Sequence, residues 1–531
     1  MKKFFFFLTF AISITCFAQN FNFDEFDTTL ECTSVTVGKL ASADGSVMTS
    51  HSDDSHRTRT NIYVTPAQDH PKGTMKMLYK RQQAKVDFGK MQKYEFVPTG
   101  EIPEAEHTYQ YFNSAYPCLN ENQLAIGEST FGGRPELKSD LGWIDCTCLC
   151  TILMERCSTA RQAIKTADEL LMKYGWNDDG ECLTIADKNE VWHLEIVGPG
   201  KGKLGAVWAA QRVPNEHISV NANASTIREI NLKDKDYFMA SANVFAVAEA
   251  NGWYDKKKEV FRFAYAYAPD SRAMLACRRR EWRVFDLLAP SLKLDPNTEN
   301  YPFSVKPDSL VKLSDMVRVF KDYYEGTEFD MRKNITVTDN EGKTVISPLA
   351  NPFMKADELK MFKVNGGWHW RGERTIAVHF TVYATILQCR DFLPDEIGGV
   401  CWFALDNVAS SVYIPFYNSI THFPKEYETC GRETGFSKDA AWWRFNRLGT
   451  ITAKRWGDMS PIVNSVWNHL QAELFVNQKG IEELTLKLIQ NGKRAEAIDL
   501  LTQYSNEAAN KALDSAWKTG DLLWTIFDGQ W

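Results

Sequence analysis

Cys32 opens the stretch Glu31-Cys32-Thr33-Ser34-Val35-Thr36-Val37-Gly38-Lys39-Leu40-Ala41-Ser42-Ala43-Asp44-Gly45-Ser46, where residue types and spacing point to covalent chemistry. A thiol is only slightly ionised at neutral pH and needs a base before it attacks a carbonyl. A cut between Glu31 and Cys32 would supply that base on the same residue. A free α-amine has a pKa of roughly 7.7–8 and is partly neutral at physiological pH. While Glu31 stays attached, the nitrogen is an amide and cannot accept the proton. The sequence therefore predicts an inactive precursor and an N-terminal cysteine nucleophile.

The nucleophile must be held by a rigid element, and the pattern provides one. Val35 and Val37 alternate with polar neighbours, as in a half-buried strand. Asp44-Gly45 is a turn dipeptide, and Ser46 to His51 reads as the returning strand. Ahead of it, Met1-Lys2-Lys3 and the apolar run Phe4–Ile14 form the basic and hydrophobic parts of a signal peptide. Ala18 is the predicted cleavage position, which leaves a leader of 13 residues, Gln19–Glu31. The apolar run is short for a membrane span, and no later stretch approaches one. The expectation is an exported protein, periplasmic or extracellular, not embedded in a membrane.

The residues from Cys32 to Ser46 carry a resemblance. Cys32-Thr33-Ser34-x-x-Val37-Gly38-Lys39-x-Ala41-Ser42-x-Asp44-Gly45-Ser46 is similar to the opening of the cysteine-nucleophile dipeptidases, the dipeptidase A family of the Ntn-hydrolase superfamily. The resemblance implies an α+β fold, an αββα sandwich of two antiparallel sheets with Cys32 at a strand end. It implies a signal peptide (1–18), a propeptide (19–31) and a peptidase domain (32–531) whose part from about 432 onward is helical. The family's tetrad ending in two acids falls on residues 51–54. Asp54 matches the acid held close to the nucleophile, Asp53 the one before it, and His51 stands where the family has arginine. By the same resemblance Asn223 donates to the oxyanion, while Asn120, in a segment resembling Asn-Glu-x-Gly-Leu-Ala-x-x-Glu-Thr, lines the substrate cleft. His51, Asp53 and Asn120 are the substrate-binding candidates, and Cys32, Asp54 and Asn223 the catalytic ones. No cofactor is implied.

Other constellations compete. His51, Asp53, Asp54 and His56 offer donors that a divalent metal accepts, although a polar loop at a strand end explains them as well. Cys146, Cys148 and Cys150 lack a second cluster at zinc-site spacing and are read as buried residues. Arg278-Arg279-Arg280 is read as a solvated helical face, and His379 as a core histidine. Asn223-Ala224-Ser225 is a glycosylation sequon. Twelve cysteines, one of them in the signal segment, leave an odd number, so at least one thiol is expected to be free.

The remaining pattern describes the scaffold. Thr159 and Gln162 form a capping box before a helix with Ala163, Ile164, Ala167, Leu170 and Leu171 on one face, ending at Gly175. Cys182–Asp187 and Glu190–Val197 read as a hairpin. Ser460 before Pro461 predicts a helix start, and Ile462, Val466, Leu470 and Leu474 continue it at i+4 spacing. A net charge of −7 with no basic stripe argues against nucleic acid. The expected partner is a small peptide substrate, with a homo-oligomer left open. Three other readings fit the same sequence: an acylase acting on N-acyl amides such as conjugated bile salts, a metallohydrolase built on His51, Asp53, Asp54 and His56, and a non-catalytic binding protein that keeps an Ntn-like fold.

Overall fold

The computed structural model describes residues 32–82, 91, 93–354 and 374–529. The signal peptide and propeptide expected over residues 1–31 lie outside the described residues. The first strand, β1 (Cys32–Val37), and the second, β2 (Val47–Asp54), form the predicted hairpin. Gly45 makes the turn at φ 79°, while the Asp44 side chain accepts the backbone N–H of Ser46 at 3.0 Å. Gly38 is needed just after β1, since a Cβ there would sit 2.5 Å from the Asn215 carbonyl.

Two antiparallel sheets form the centre of this α+β sandwich. The seven-stranded sheet runs Ser304–Val305, Ile218–Asn221, β1, β2, Thr381–Cys389, Val400–Leu405 and Ile414–Tyr417. β1 and β2 thus lie in its middle, paired on both sides. The eight-stranded sheet runs Phe238–Ala240, Val207–Arg212, Val191–Val197, Gly180–Ala186, Ala125–Gly132, Leu119–Asn120, Tyr111–Asn113 and Tyr63–Thr65. The strands Ala125–Gly132 and Gly180–Ala186 pack face to face against β1 and β2. The approach is close: a Cβ on Gly127 would meet the Ser50 carbonyl oxygen at 2.3 Å.

Helices cover both outer faces. α1 (Cys146–Arg156) and α2 (Ala160–Tyr174) lie on the eight-stranded sheet. The five apolar residues predicted for α2 are all buried, and Gly175 ends it at φ 78°. The Thr159 side chain caps Gln162 N as expected, whereas Gln162 reaches back to Ser158 N. On the other side, helices Ala441–Lys454, Trp456–Gln490 and Arg494–Ile526 form the C-terminal region and pack on the seven-stranded sheet. None of the described helices is long and apolar enough to cross a membrane.

The structure corrects four expectations. β2 continues through Asp54, so His51–Asp54 is a fully buried strand end rather than a loop. The long helix begins at Trp456, five residues before Pro461, so Ser460 is not its cap and the proline sits in the second turn. Arg279 and Arg280 are buried in helix Leu275–Leu288 instead of forming a solvated face. His379 is half-buried beside His56 and Phe380 on the wall of a cavity of about 320 Å³, outside the core. No disulfide joins any two of the eleven described cysteines.

Position 123, where the resembling segment has glycine, shows how the fold tolerates a departure. Gln123 takes φ 65°, which is unfavourable by about 1–2 kcal/mol for a residue with a Cβ. Its side chain compensates by accepting from Arg390 N at 2.7 Å and donating to Asp395 at 2.9 Å.

Candidate active site

Strand alternation decides which polar groups of β1 and β2 can meet. Cys32, Ser34 and Thr36 face the other sheet, where Ser34 Oγ donates to the Glu128 carbonyl at 2.8 Å. From β2, Thr49 and His51 point the same way, with Thr49 Oγ1 2.7 Å from Thr184 Oγ1. Asp53 lies directly across from Cys32 in the strand pair. The result is a buried triangle of side chains from three strands. Cys32 Sγ donates to Glu128 Oε2 at 3.3 Å, His51 Nε2 lies 3.5 Å from Sγ, and His51 Nε2 pairs with Glu128 Oε2 at 3.2 Å. Edges of the Tyr116 and Tyr383 rings fix the imidazole from two sides.

Glu128 is ionised in a place where a carboxyl would ordinarily resist ionisation. Burial pushes its pKa up, but hydrogen bonds from His51 and Glu181, the His51 charge and the Cys32 thiol outweigh this and hold it at about 2. Glu181 moves the other way. Burial first, then the neighbouring Glu128 charge, raise it well above the usual carboxylate range, so Glu181 keeps its proton and shares it with Glu128. Thr130 Oγ1 lies 3.0 Å from Glu128 Oε1 and 2.9 Å from Glu181 Oε1, which locks the pair in place.

The Cys32 nitrogen has its own support. It donates to Asn223 Oδ1 at 3.1 Å, and Arg280 Nη2 donates to the same oxygen at 2.8 Å. Two donors on one atom fix the amide orientation. Asn223 Nδ2 consequently turns to the Thr130 carbonyl at 2.6 Å. Asn223 therefore meets the nucleophile with its oxygen, and its N–H is not aimed at an oxyanion as the resemblance implies. Its φ of 59° belongs to the left-handed region, which asparagine adopts more readily than most residues. The side chain is 1 % exposed, which removes the sequon as an accessible site in the folded chain. Arg280 also bonds the Cys32 carbonyl at 2.6 Å, Thr33 Oγ1 at 2.9 Å and the Ala222 carbonyl at 3.1 Å.

The other candidates scatter. Asp54 points to the helix-covered face, where Arg374, Ser52 and Thr381 bond it at 2.9, 2.9 and 2.7 Å. These bonds link it to Cys32 only indirectly, through Ser52 Oγ and the Thr33 N–H, whereas Asn223 Oδ1 accepts from the Cys32 nitrogen directly. Asn120 does not line a cleft. Its amide donates to the carbonyls of Met154 and Cys157, and its oxygen takes Asn122 N and Leu124 N, so it organises a buried turn. His56 stacks near Phe380, beyond the end of β2.

The proposed metal quartet therefore does not converge, because His51 and Asp54 face opposite sides of the sheet. Among the described residues, the donor groups near enough to share an ion are Cys32, His51 and Glu128, and Glu128, Cys146 and Glu181. Neither contains Asp53, Asp54 or His56. Incubating the purified enzyme with a strong chelator is expected to leave peptide hydrolysis within twofold of the untreated rate. Loss of activity restored by added zinc would revive the metallohydrolase reading.

Glu128 and Arg280 bond Cys32 and are not among the site candidates read from the sequence. Glu128 falls on the second glutamate of the Asn-Glu-x-Gly-Leu-Ala-x-x-Glu-Thr pattern that begins at Asn120, and the Arg278–Arg280 run hid the arginine that reaches the nucleophile.

Comparison with known proteins places the chain in a family. Residues 31–469 match peptidase family C69, with a boundary one residue before Cys32. A "probable dipeptidase" from Latilactobacillus sakei is 24 % identical over 505 residues, covering 93 % of this chain and 94 % of that protein. A "probable dipeptidase B" from Lactococcus lactis subsp. lactis is 25 % identical over 75 % of this chain and 76 % of its own length. A "probable dipeptidase" from Salmonella dublin is 24 % identical over 74 % of this chain and 82 % of its own.

Proposed function

The chain belongs to peptidase family C69, and we propose that it is an exported dipeptidase whose nucleophile is the N-terminal cysteine left when residues 1–31 are removed. The observation that carries this reading is the contact between the Cys32 nitrogen and Asn223 Oδ1. A nucleophile that relied on a remote base would not need its own nitrogen fixed. Here that nitrogen is held by a buried amide which Arg280 in turn immobilises.

The mechanism follows from this geometry. The free α-amine takes the thiol proton, and Sγ attacks the peptide carbonyl carbon to form the C–S bond. The resulting α-ammonium returns the proton to the leaving amine as the C–N bond breaks. Water then adds to the thioester with the amine again as base, and the C–S bond breaks to release the acid. Asn223 accepts from the nitrogen in both its protonated and neutral forms, so it steadies the base without consuming it. Arg280 ties the Cys32 carbonyl to the same amide, which restricts rotation of the nucleophile residue.

The signal segment and leader are removed in two steps in this reading, the second of them self-catalysed. Intact mass and N-terminal sequencing of exported protein are expected to give Cys32 as the first residue. Active protein that begins at Gln19 would overturn the mechanism. Dipeptide action is supported by the names of the relatives. The acylase reading needs an apolar acyl pocket beside the thiol, where this site instead places His51 and Glu128.

A further inference from the structure

A dipeptidase that attacks with Cys32 meets a strict covalent constraint. In the tetrahedral intermediate Sγ is bonded to the carbonyl carbon of the first substrate residue, and the amino group of that residue is two bonds further on. Its nitrogen therefore lies roughly 3–4 Å from Sγ, whatever the side chain. An acid that recognises the ammonium of an unblocked dipeptide must then lie within roughly 7 Å of Sγ, one hydrogen bond beyond that nitrogen.

Few acids satisfy this. Asp54 projects to the opposite face of the sheet, towards Arg374 and Thr381. Glu181 retains its proton and offers no net charge. Asp406 lies past the end of strand Val400–Leu405, three strand positions across the sheet from β1. At about 4.8 Å per strand that is out of reach of an α-amino group. Asp53, across from Cys32, and Glu128 remain. Glu128 Oε2 is 3.3 Å from Sγ.

We propose that Glu128 is the receptor for the substrate's free α-ammonium group and so determines specificity for unblocked dipeptides; the proposal rests on the dipeptidase reading above. Three features carry it. The thiol is a donor to Oε2, so when its proton leaves for the α-amine that oxygen loses a partner which an ammonium N–H can replace. A thiolate 3.3 Å from a carboxylate is also disfavoured by like charge, which His51 Nε2, 3.5 Å from Sγ and 3.2 Å from Oε2, offsets in part, and a substrate cation beside both offsets the rest. Finally, the carboxylate is rigid: Thr130, the proton on Glu181 and His51 hold it from three sides. An N-acylated substrate brings no cation to this position and leaves the repulsion in place. Glu128 takes no proton in the reaction.

The test is the ratio of kcat/KM for a free dipeptide to that for its N-acetyl form, read first on the wild type and then on variants. Glu128→Gln keeps the shape and removes the charge, and is expected to lower the ratio at least 30-fold. Glu128→Asp, which keeps the charge, is expected to retain a ratio between the two. A general structural defect would lower both substrates together and leave the ratio intact, which would overturn the proposal. A ratio that collapses in Asp53→Asn but not in Glu128→Gln would also overturn it and move the receptor to Asp53. If Glu128→Gln does not fold, the wild-type enzyme still decides the need for a cation. An α-amino aldehyde is expected to inhibit at least 100-fold more tightly than the same aldehyde lacking the amine, and equal inhibition would refute the proposal. A wild type that cleaves no free dipeptide at all would instead refute the dipeptidase reading.

Discussion

Cys32→Ala is expected to abolish dipeptide hydrolysis, with turnover at least 10⁴-fold below wild type, and to leave the leader attached. Both losses have one cause, since the same Sγ is asked to attack the Glu31 carbonyl once and substrate carbonyls thereafter. Because Cys32 is buried at 1 % exposure, removing its sulfur leaves a small cavity, an effect of about 1–2 kcal/mol on stability that does not threaten the fold. Loss of activity with an essentially unchanged melting temperature would separate chemistry from folding. Cys32→Ser is expected to lie between. A hydroxyl is far harder to deprotonate than a thiol, so slow leader removal with at least 100-fold slower hydrolysis is the predicted outcome. Mass spectrometry of the purified variants reads processing, and a free-dipeptide assay reads turnover. Near-normal hydrolysis by Cys32→Ala would remove Cys32 from the mechanism.

The legible parts of this protein were those encoded locally. The β1–β2 hairpin showed through period-two alternation and Asp44-Gly45, and α2 through its cap and apolar face, because each signal lies within one element. The sheets' partners were not legible. Glu128 reaches Cys32 across 96 residues of sequence and Arg280 across 248, and nothing in either neighbourhood marks the contact. Burial of polar residues misled in the same way. His51–Asp54 looks like a loop because four polar residues in a row are unusual in a buried strand. The strand accepts them because partners on both faces satisfy them: Glu128 for His51 on one side, Arg374 and Thr381 for Asp54 on the other. Arg280 reads as solvated in the sequence because three arginines in succession on a helix ordinarily are. Its burial is stabilised by carbonyls and hydroxyls that only the folded sheet brings together. The resemblance supplied the nucleophile and its nitrogen-terminal logic, yet it could not say which end of the Asn223 amide faces Cys32. That depends on Arg280.

Arg280→Met is expected to lower both stability and activity, in a way that identifies what the arginine does. Burial depresses its pKa to about 10, first by desolvation and then by the Arg374 charge, so the guanidinium remains charged near neutrality. Its head group bonds the carbonyls of Cys32, Ala222 and Ala276, together with Thr33 Oγ1 and Asn223 Oδ1. Methionine fills much of the space but donates to none of them, leaving several buried acceptors unpaired, at about 1–3 kcal/mol each before relaxation and water entry. The net loss should be about 3–5 kcal/mol, read as a lower denaturant midpoint. Arg280→Lys keeps the charge while losing the fork that bonds Cys32 and Asn223 at once, and is expected to recover much of the stability. Activity should not recover with it. Without the second donor on Asn223 Oδ1 the amide is free to flip, and an N–H would then face the α-nitrogen in place of an acceptor. A lysine variant that folds but turns over at least 100-fold more slowly, with KM changed far less than kcat, is the expected result. Full activity in that variant would mean that the charge alone suffices and that the orientation of Asn223 does not govern the nucleophile.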